Sequence, residues 1–187
     1  NKPSPAGLIA HFTKVADEGG LPIILYNVPS RTGSNMSPDV VEFLSNHPQI
    51  VGIKDAAGSV DQFGELLRRC GSGFSVFTGD DSLALPLYAL GGHGAITTVG
   101  NVAPGPMARL YHAFCEGRVE EARNLHFQLV PLFQALFCEV NPCPAQFALH
   151  KMGFVRNELR LPLAPITPAS EELVLEALAA ASISAES

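Results

Sequence analysis

A short apolar strand paired with a helix, repeated four times, constrains this chain more than any other feature. Apolar runs occupy residues 21–26, 49–54, 74–78 and 94–99. Between them the spacing turns helical. Residues 5–17 place Leu8, Ile9, Phe12 and Val15 on one helical face, and Gly19-Gly20 ends that helix. Ser37-Pro38 offers an N-cap with proline at the first helical position, ahead of Val40, Val41 and Leu44. Ser59 with Gln62 three residues later reads as a capping box. It opens a helix through Leu66 and Leu67 to Cys70-Gly71, and Gly79-Asp80-Asp81 opens another that runs to Leu90-Gly91. Alternation of this kind predicts parallel βα units. Near-continuous apolar strands are what such units show when both sheet faces are covered.

From residue 103 onward the pattern changes, and no further strand is expected. Residues 104–117, 118–138, 143–152 and 168–181 read as helices, with Pro131 as a kink in the second. The proline-rich stretch from Leu161 to Pro168 reads as a loop. The expected division is therefore residues 1–102 and residues 103–187. Four βα units do not close a TIM barrel, which needs eight strands and ~250 residues. The chain opens Asn1-Lys2-Pro3-Ser4-Pro5, without a methionine, and is expected to be cut from something longer. The expected fold is the second half of a (β/α)8 barrel followed by a helical domain.

Composition narrows the partners. A hydrophobic content of 47% supports a sizeable core. The formal charge is −6, from 12 basic and 18 acidic residues in no long runs, which points away from nucleic acid and membrane surfaces. No apolar stretch approaches the ~20 residues of a transmembrane helix. Cys70, Cys115, Cys138 and Cys143 form no CxxC pair and read as reduced, buried thiols of a cytoplasmic protein. The histidines, His93 and His150 included, show no metal-ligand spacing, so no metal is expected.

The chemistry gathers at the strand ends. Lys54 closes the run Ile50-Val51-Gly52-Ile53-Lys54, with Asp55-Ala56-Ala57-Gly58 after it. Desolvation disfavours an ammonium, and a neutral amine forms Schiff bases with carbonyl substrates. Tyr26 closes the preceding apolar run, and Asn27-Val28-Pro29-Ser30-Arg31-Thr32-Gly33 follows it. Taken singly, each residue has an ordinary reading: a solvated edge lysine, a half-buried tyrosine, a surface arginine. An amine, a phenol and a guanidinium at the ends of neighbouring strands make a candidate site. Gly79-Asp80-Asp81 reads as a turn and helix cap. Gly91-Gly92-His93-Gly94 lacks the spacing of a phosphate loop and reads as a tight turn.

Two segments, Tyr26-Asn27-Val28-Pro29-Ser30-Arg31-Thr32-Gly33 and Gly52-Ile53-Lys54-Asp55-Ala56-Ala57-Gly58, carry a specific family resemblance. With Gly79-Asp80-Asp81, Gly91-Gly92-His93-Gly94-Ala95-Ile96 and Asn141-Pro142-Cys143-Pro144, the chain resembles the dihydrodipicolinate synthase family of pyruvate-dependent class I aldolases over essentially its whole length. That resemblance implies a TIM barrel with a C-terminal helical domain, usually a homotetramer. It implies Lys54 as the Schiff-base lysine, Tyr26 as a proton shuttle and Arg31 as a carboxylate binder. It implies Gly79 and Ile96 as positions whose backbone carbonyls approach bound pyruvate. It implies no cofactor beyond the covalent imine. The partners it implies are pyruvate and an aldehyde, aspartate semialdehyde in lysine biosynthesis. Sugar acids or hydroxy-oxo acids are the alternative substrates, and a non-catalytic scaffold is the alternative class.

The chain also departs from the family. The resemblance places four βα units ahead of residue 1, with a Gly-Thr-Thr-Gly-Glu-type loop, a relay threonine, a tyrosine donated across a dimer interface and much of a lysine feedback site. None is in this sequence.

Overall fold

The computed structural model describes residues 1–183. Helix α1 (Pro5–Gly19) is capped by Ser4, whose hydroxyl accepts from the Gly7 N–H. Strand β1 (Ile23–Asn27) follows, then a single turn α2 (Pro29–Thr32) and helix α3 (Pro38–Ser45). Strand β2 (Ile50–Asp55), helix α4 (Val60–Arg69) and strand β3 (Ser75–Thr78) come next. A 3₁₀ turn (Asp81–Leu83) leads into α5 (Ala84–Ala89), and β4 (Gly94–Ala95) ends the sheet. Among the described residues all four strands are parallel and lie in sequential order, β1-β2-β3-β4.

Sequential parallel strands with helical crossovers curl one way, as in half of a (β/α)8 barrel. One sheet face is packed. Leu25, Ile50, Ile53 and Val76 meet Ala16 of α1, Val40, Val41 and Leu44 of α3, and Phe63 and Leu66 of α4. On the other face Ile24 and Tyr26 are each 46% exposed, and Ile96, just past β4, is 41% exposed. That face corresponds to a barrel interior. The expectation that both strand faces are covered holds for the helix side alone.

One irregularity interrupts the β1–β2 pairing. Ile23 pairs with Ile50 but Ile24 with Gly52, so Val51 is skipped. This is the geometry of a bulge, in which two residues of one strand oppose one of the other. Beyond it the register is regular: Leu25 with Ile53, Tyr26 with Lys54, Asn27 with Asp55.

A second compact unit begins at Thr97 and is helical. It comprises α6 (Val99–Val102), α7 (Pro104–Cys115), α8 (Val119–Ala135), α9 (Cys143–Lys151) and α10 (Pro168–Ala180). Its core includes Leu110, Ala113, Leu129, Leu132, Phe147, Val174 and Leu178, all essentially inaccessible. Pro131 lies inside α8 without ending it. The division falls after Ile96 rather than after residue 102, because α6 packs on α7 and α9. Residues 184–187, the end of the expected 103–187 segment, lie outside the described residues.

Several local expectations change. The fourth strand spans Gly94–Ala95 rather than 94–99, because the Gly100 N–H donates to Thr97 Oγ1 at 3.1 Å and the chain enters α6. The helix expected from Gly79 to Leu90 is a 3₁₀ turn followed by the short α5. The box at Ser59 is half closed. The Gln62 N–H donates to Ser59 Oγ at 3.1 Å, but the Gln62 side chain goes to Asp55 and Asn35 instead. No cysteine is in a disulfide; Cys143 is buried, while Cys115 and Cys138 are exposed rather than buried. Among the described residues no helix is long and apolar enough to cross a membrane.

Candidate active site

Strand pairing brings Tyr26 and Lys54 together. The two are register partners, so their side chains leave the same face of the sheet. Lys54 Nζ lies 4.1 Å from the Tyr26 ring centroid, within the range of a cation–π contact. Phe77 pairs with Lys54 on the other side, and Gly79 follows one residue beyond β3. The Gly79 N–H donates to the Asp55 carbonyl at 2.7 Å, extending the ladder past the strand. A Cβ at Gly79 would stand 2.9 Å from Lys54 Cε and 2.7 Å from Ala56 Cβ. Glycine at that position leaves the lane along which the lysine side chain runs.

Arg31 and Ile96 belong to the same C-terminal end of the sheet, on the segments that follow β1 and β4. Arg31 is exposed on α2, which ends at Gly33 with φ +66° and the Gly33 N–H donating to the Pro29 carbonyl at 2.9 Å. A left-handed residue is where glycine is favoured, and it turns the chain back after a single helical turn. The Ile96 N–H donates to the Thr78 carbonyl at 2.9 Å. Tyr26, Val28, Thr32 and Ser34 also line a cavity of about 360 Å³ with Lys2 and Pro3; Lys54 is not part of its wall.

Sequence reasoning passes over the groups beside this pair. Asn27 and Asp55 follow Tyr26 and Lys54 directly and are 2% and 3% exposed. Asn27 Nδ2 donates to Asp55 Oδ1 at 2.7 Å and to Asn35 Oδ1 at 2.7 Å, while Asn27 Oδ1 accepts from the Met36 N–H at 3.0 Å. Gln62 Nε2 donates to Asp55 Oδ1 at 3.2 Å. Burial pushes the Asp55 carboxyl above the ordinary carboxylate range; the bonds from Asn27 and Gln62 oppose that rise, and the charge of Asp80 adds to it. Sequence alone holds no signal for them, because the pairing of β1 with β2, and not the spacing within either strand, decides that they face the packed side.

Asp80 stands at the N-cap position of the 3₁₀ turn, but its side chain makes no capping hydrogen bond there, contrary to the cap its turn motif implies. Its N–H donates to Thr78 Oγ1 at 3.0 Å, and its Oδ2 accepts from the Gly58 N–H at 3.1 Å. Burial raises its carboxyl too, and the positive charge of Lys54 opposes the rise, so Asp80 faces the lysine electrostatically. The two histidines singled out from the sequence, His93 and His150, have structural partners. His93 Nδ1 accepts from the Val76 N–H at 3.1 Å, and His150 Nδ1 donates to the Val155 carbonyl at 3.1 Å. Among the described residues no cluster of three or more histidine, cysteine, aspartate or glutamate side chains is arranged to hold a metal.

The arrangement, an amine beside a phenol at the open end of parallel strands, is the place and the chemistry expected of a barrel site. Comparison with known proteins finds relatives over nearly the whole chain. The model of the dihydrodipicolinate synthetase family matches residues 1–181. The 4-hydroxy-tetrahydrodipicolinate synthase of Thermodesulfovibrio yellowstonii is 46% identical over 183 residues, covering 98% of this chain and 63% of that protein. That of Methanosphaerula palustris is 47% identical over 164 residues, covering 87% and 56%. The crystal structure of dihydrodipicolinate synthase from Aquifex aeolicus superposes with a TM-score of 0.96 at 39% identity, covering 100% of this chain and 64% of that one. The chain thus spans roughly three fifths of the length of the relatives it matches. By sequence and by fold, it belongs to the dihydrodipicolinate synthetase family.

Proposed function

We propose that this chain carries the imine-forming residues of a lyase that condenses pyruvate with aspartate semialdehyde, a 4-hydroxy-tetrahydrodipicolinate synthase. The observation that carries the reading is Lys54 Nζ over the Tyr26 ring at 4.1 Å. Attack of the neutral Lys54 amine on the ketone carbon of pyruvate gives a carbinolamine. Loss of water from it leaves an iminium. The iminium draws electrons from the methyl group, which gives up a proton and becomes an enamine carbon nucleophile. That carbon then bonds to the aldehyde carbon of the second substrate.

Each step needs a proton moved, and the Tyr26 phenol is the group at hand to move it. Its present contact with the amine is through the ring face; hydrogen bonds of catalytic groups commonly tighten only when substrate is bound. Arg31, with its planar fork, is the carboxylate-binding group. The Gly79 and Ile96 carbonyls approach the bound pyruvate. The imine itself serves as electron sink, and the reading calls for no further cofactor. It includes a cytoplasmic homotetramer for the full-length protein.

The test uses the full-length protein that contains this chain, pyruvate and borohydride. One reduced adduct is expected, on the peptide that contains Lys54, and Lys54→Ala should abolish it with the fold intact by circular dichroism. An adduct at Lys14 or Lys151 instead, or none at all, overturns the assignment. The same assay separates a catalyst from a scaffold.

A further inference from the structure

The packed face of the sheet is apolar except at its end. Leu25, Ile53 and Val76 contact the helices there, yet the last pair on that face is Asn27 and Asp55. A carboxylate and an amide at that depth are a poor choice for stability alone. Well-packed apolar residues of similar volume commonly serve a core as well or better. The polar pair is also fully engaged. Asn27 spends both amide hydrogens, on Asp55 and Asn35, and its carbonyl oxygen on Met36. Gln62 of α4 closes the cluster from the far side, donating to Asp55 at 3.2 Å and accepting from Asn35 Nδ2 at 2.8 Å.

The cluster sits directly behind the candidate site. Alternation along a strand sends Tyr26 and Lys54 to the open face and Asn27 and Asp55 to the packed one. A bond between the second pair therefore fixes the spacing of the backbone that carries the first. The Ala56 N–H donates to the Asn27 carbonyl at 2.9 Å, which continues the same clamp along the main chain. Through Asn35 and Met36, the cluster also anchors the return of the segment that bears Arg31.

We propose that the Asn27–Asp55 pair is a positioning element, holding the Tyr26 phenol and the Lys54 amine in register and anchoring the Arg31 segment beside them. The inference rests on the imine chemistry proposed for Lys54. Neither residue touches the reacting atoms; each acts through its neighbour in the chain. Satisfied buried polar networks confer this kind of rigidity.

The experiment follows the rate constant of borohydride-trappable imine formation in the full-length protein, together with the fraction of chains trapped at completion. Asp55→Ala removes the acceptor. The trapping rate constant should fall about tenfold or more, while the final trapped fraction of folded protein stays at the wild-type value. Asp55→Asn keeps the Oδ1 acceptor and should restore the rate to within a few-fold of wild type. A merely structural role would lower the trapped fraction along with the folded fraction and leave the rate constant per folded chain unchanged. Should Asp55→Ala not fold, Asn27→Asp decides. It keeps the shape and sets a second carboxylate against the first, and an unchanged rate constant there overturns the proposal. No trapping in the wild type overturns the lyase reading and this inference with it. Wild-type trapping with unaltered variant rates overturns this inference alone.

Discussion

One methyl group at Gly79 would meet Lys54 Cε at 2.9 Å and Ala56 Cβ at 2.7 Å, closer than carbon atoms pack. Gly79→Ala should therefore displace the lysine side chain. We expect imine trapping in the full-length protein to slow at least tenfold, and the urea midpoint to drop by the equivalent of about 1–3 kcal/mol, the usual cost of overpacking. An unchanged trapping rate would mean that Lys54 has another lane. Tyr26 and Arg31 are expected to fail differently. Tyr26→Phe removes only the hydroxyl, and kcat should fall by about 10²–10⁴, the usual worth of general acid–base catalysis. Arg31→Ala should mainly raise KM; small and equal effects from both would reduce these residues to packing. Lys54, Tyr26 and Arg31 are legible in the sequence because motifs carry them. Asn27 and Asp55 are not, because a polar residue behind a catalytic candidate announces itself only once the strand faces are known.

Helix starts carry their signals locally, and they are readable for that reason. Ser37-Pro38, Ala103-Pro104 and Thr167-Pro168 each precede a helix, with proline at its first position. The short pieces are not readable. α2 and α6 span a single turn each, too brief to show a period, and a terminal strand of two residues looks like the start of a longer one. Within α8, His126 offers a test. Its Nδ1 is buried without a hydrogen-bond partner, its ring lies 5.5 Å from that of Phe133, and burial lowers its pKa. A folded-state value below the unfolded one, about 6.5, means the fold favours the neutral ring. The contribution to stability is intact above that unfolded value and is lost as pH falls through it toward the folded one. His126→Phe removes the titration and the orphaned nitrogen. The variant's Tm should exceed wild type by more at pH 5.5 than at pH 8; an equal difference at both would show that His126 does not titrate in this range.

The molecule joins a sheet packed on one side to a helical unit with its own core. β1 and β4 are its two edges, and Ile24, Tyr26 and Ile96 stand on or beside the face that no unit-one helix covers. Edges of this kind template association, and exposed apolar patches promote it. Residues 1–187 expressed alone should elute as aggregates or oligomers and show no synthase activity. A monodisperse, active monomer with cooperative unfolding would mean that the sheet is complete as it stands. Sequence patterning foresees the four βα units and the helices after them, since both follow from periodicity. It does not foresee the skipped residue in β2, because pairing is a property of two strands and not of one. That skip has a directional consequence. Read with strict two-beat alternation from Ile50, Lys54 would share Ile50's side and point into the helices. Val51 shifts the frame by one, so that Ile50 and Ile53 both reach the core and the amine emerges into the open. Without Val51, Gly52 would follow Ile50 directly, and plain alternation would by itself keep Ile53 in the core and the amine in the open; the skip is what lets a strand one residue too long still present its lysine.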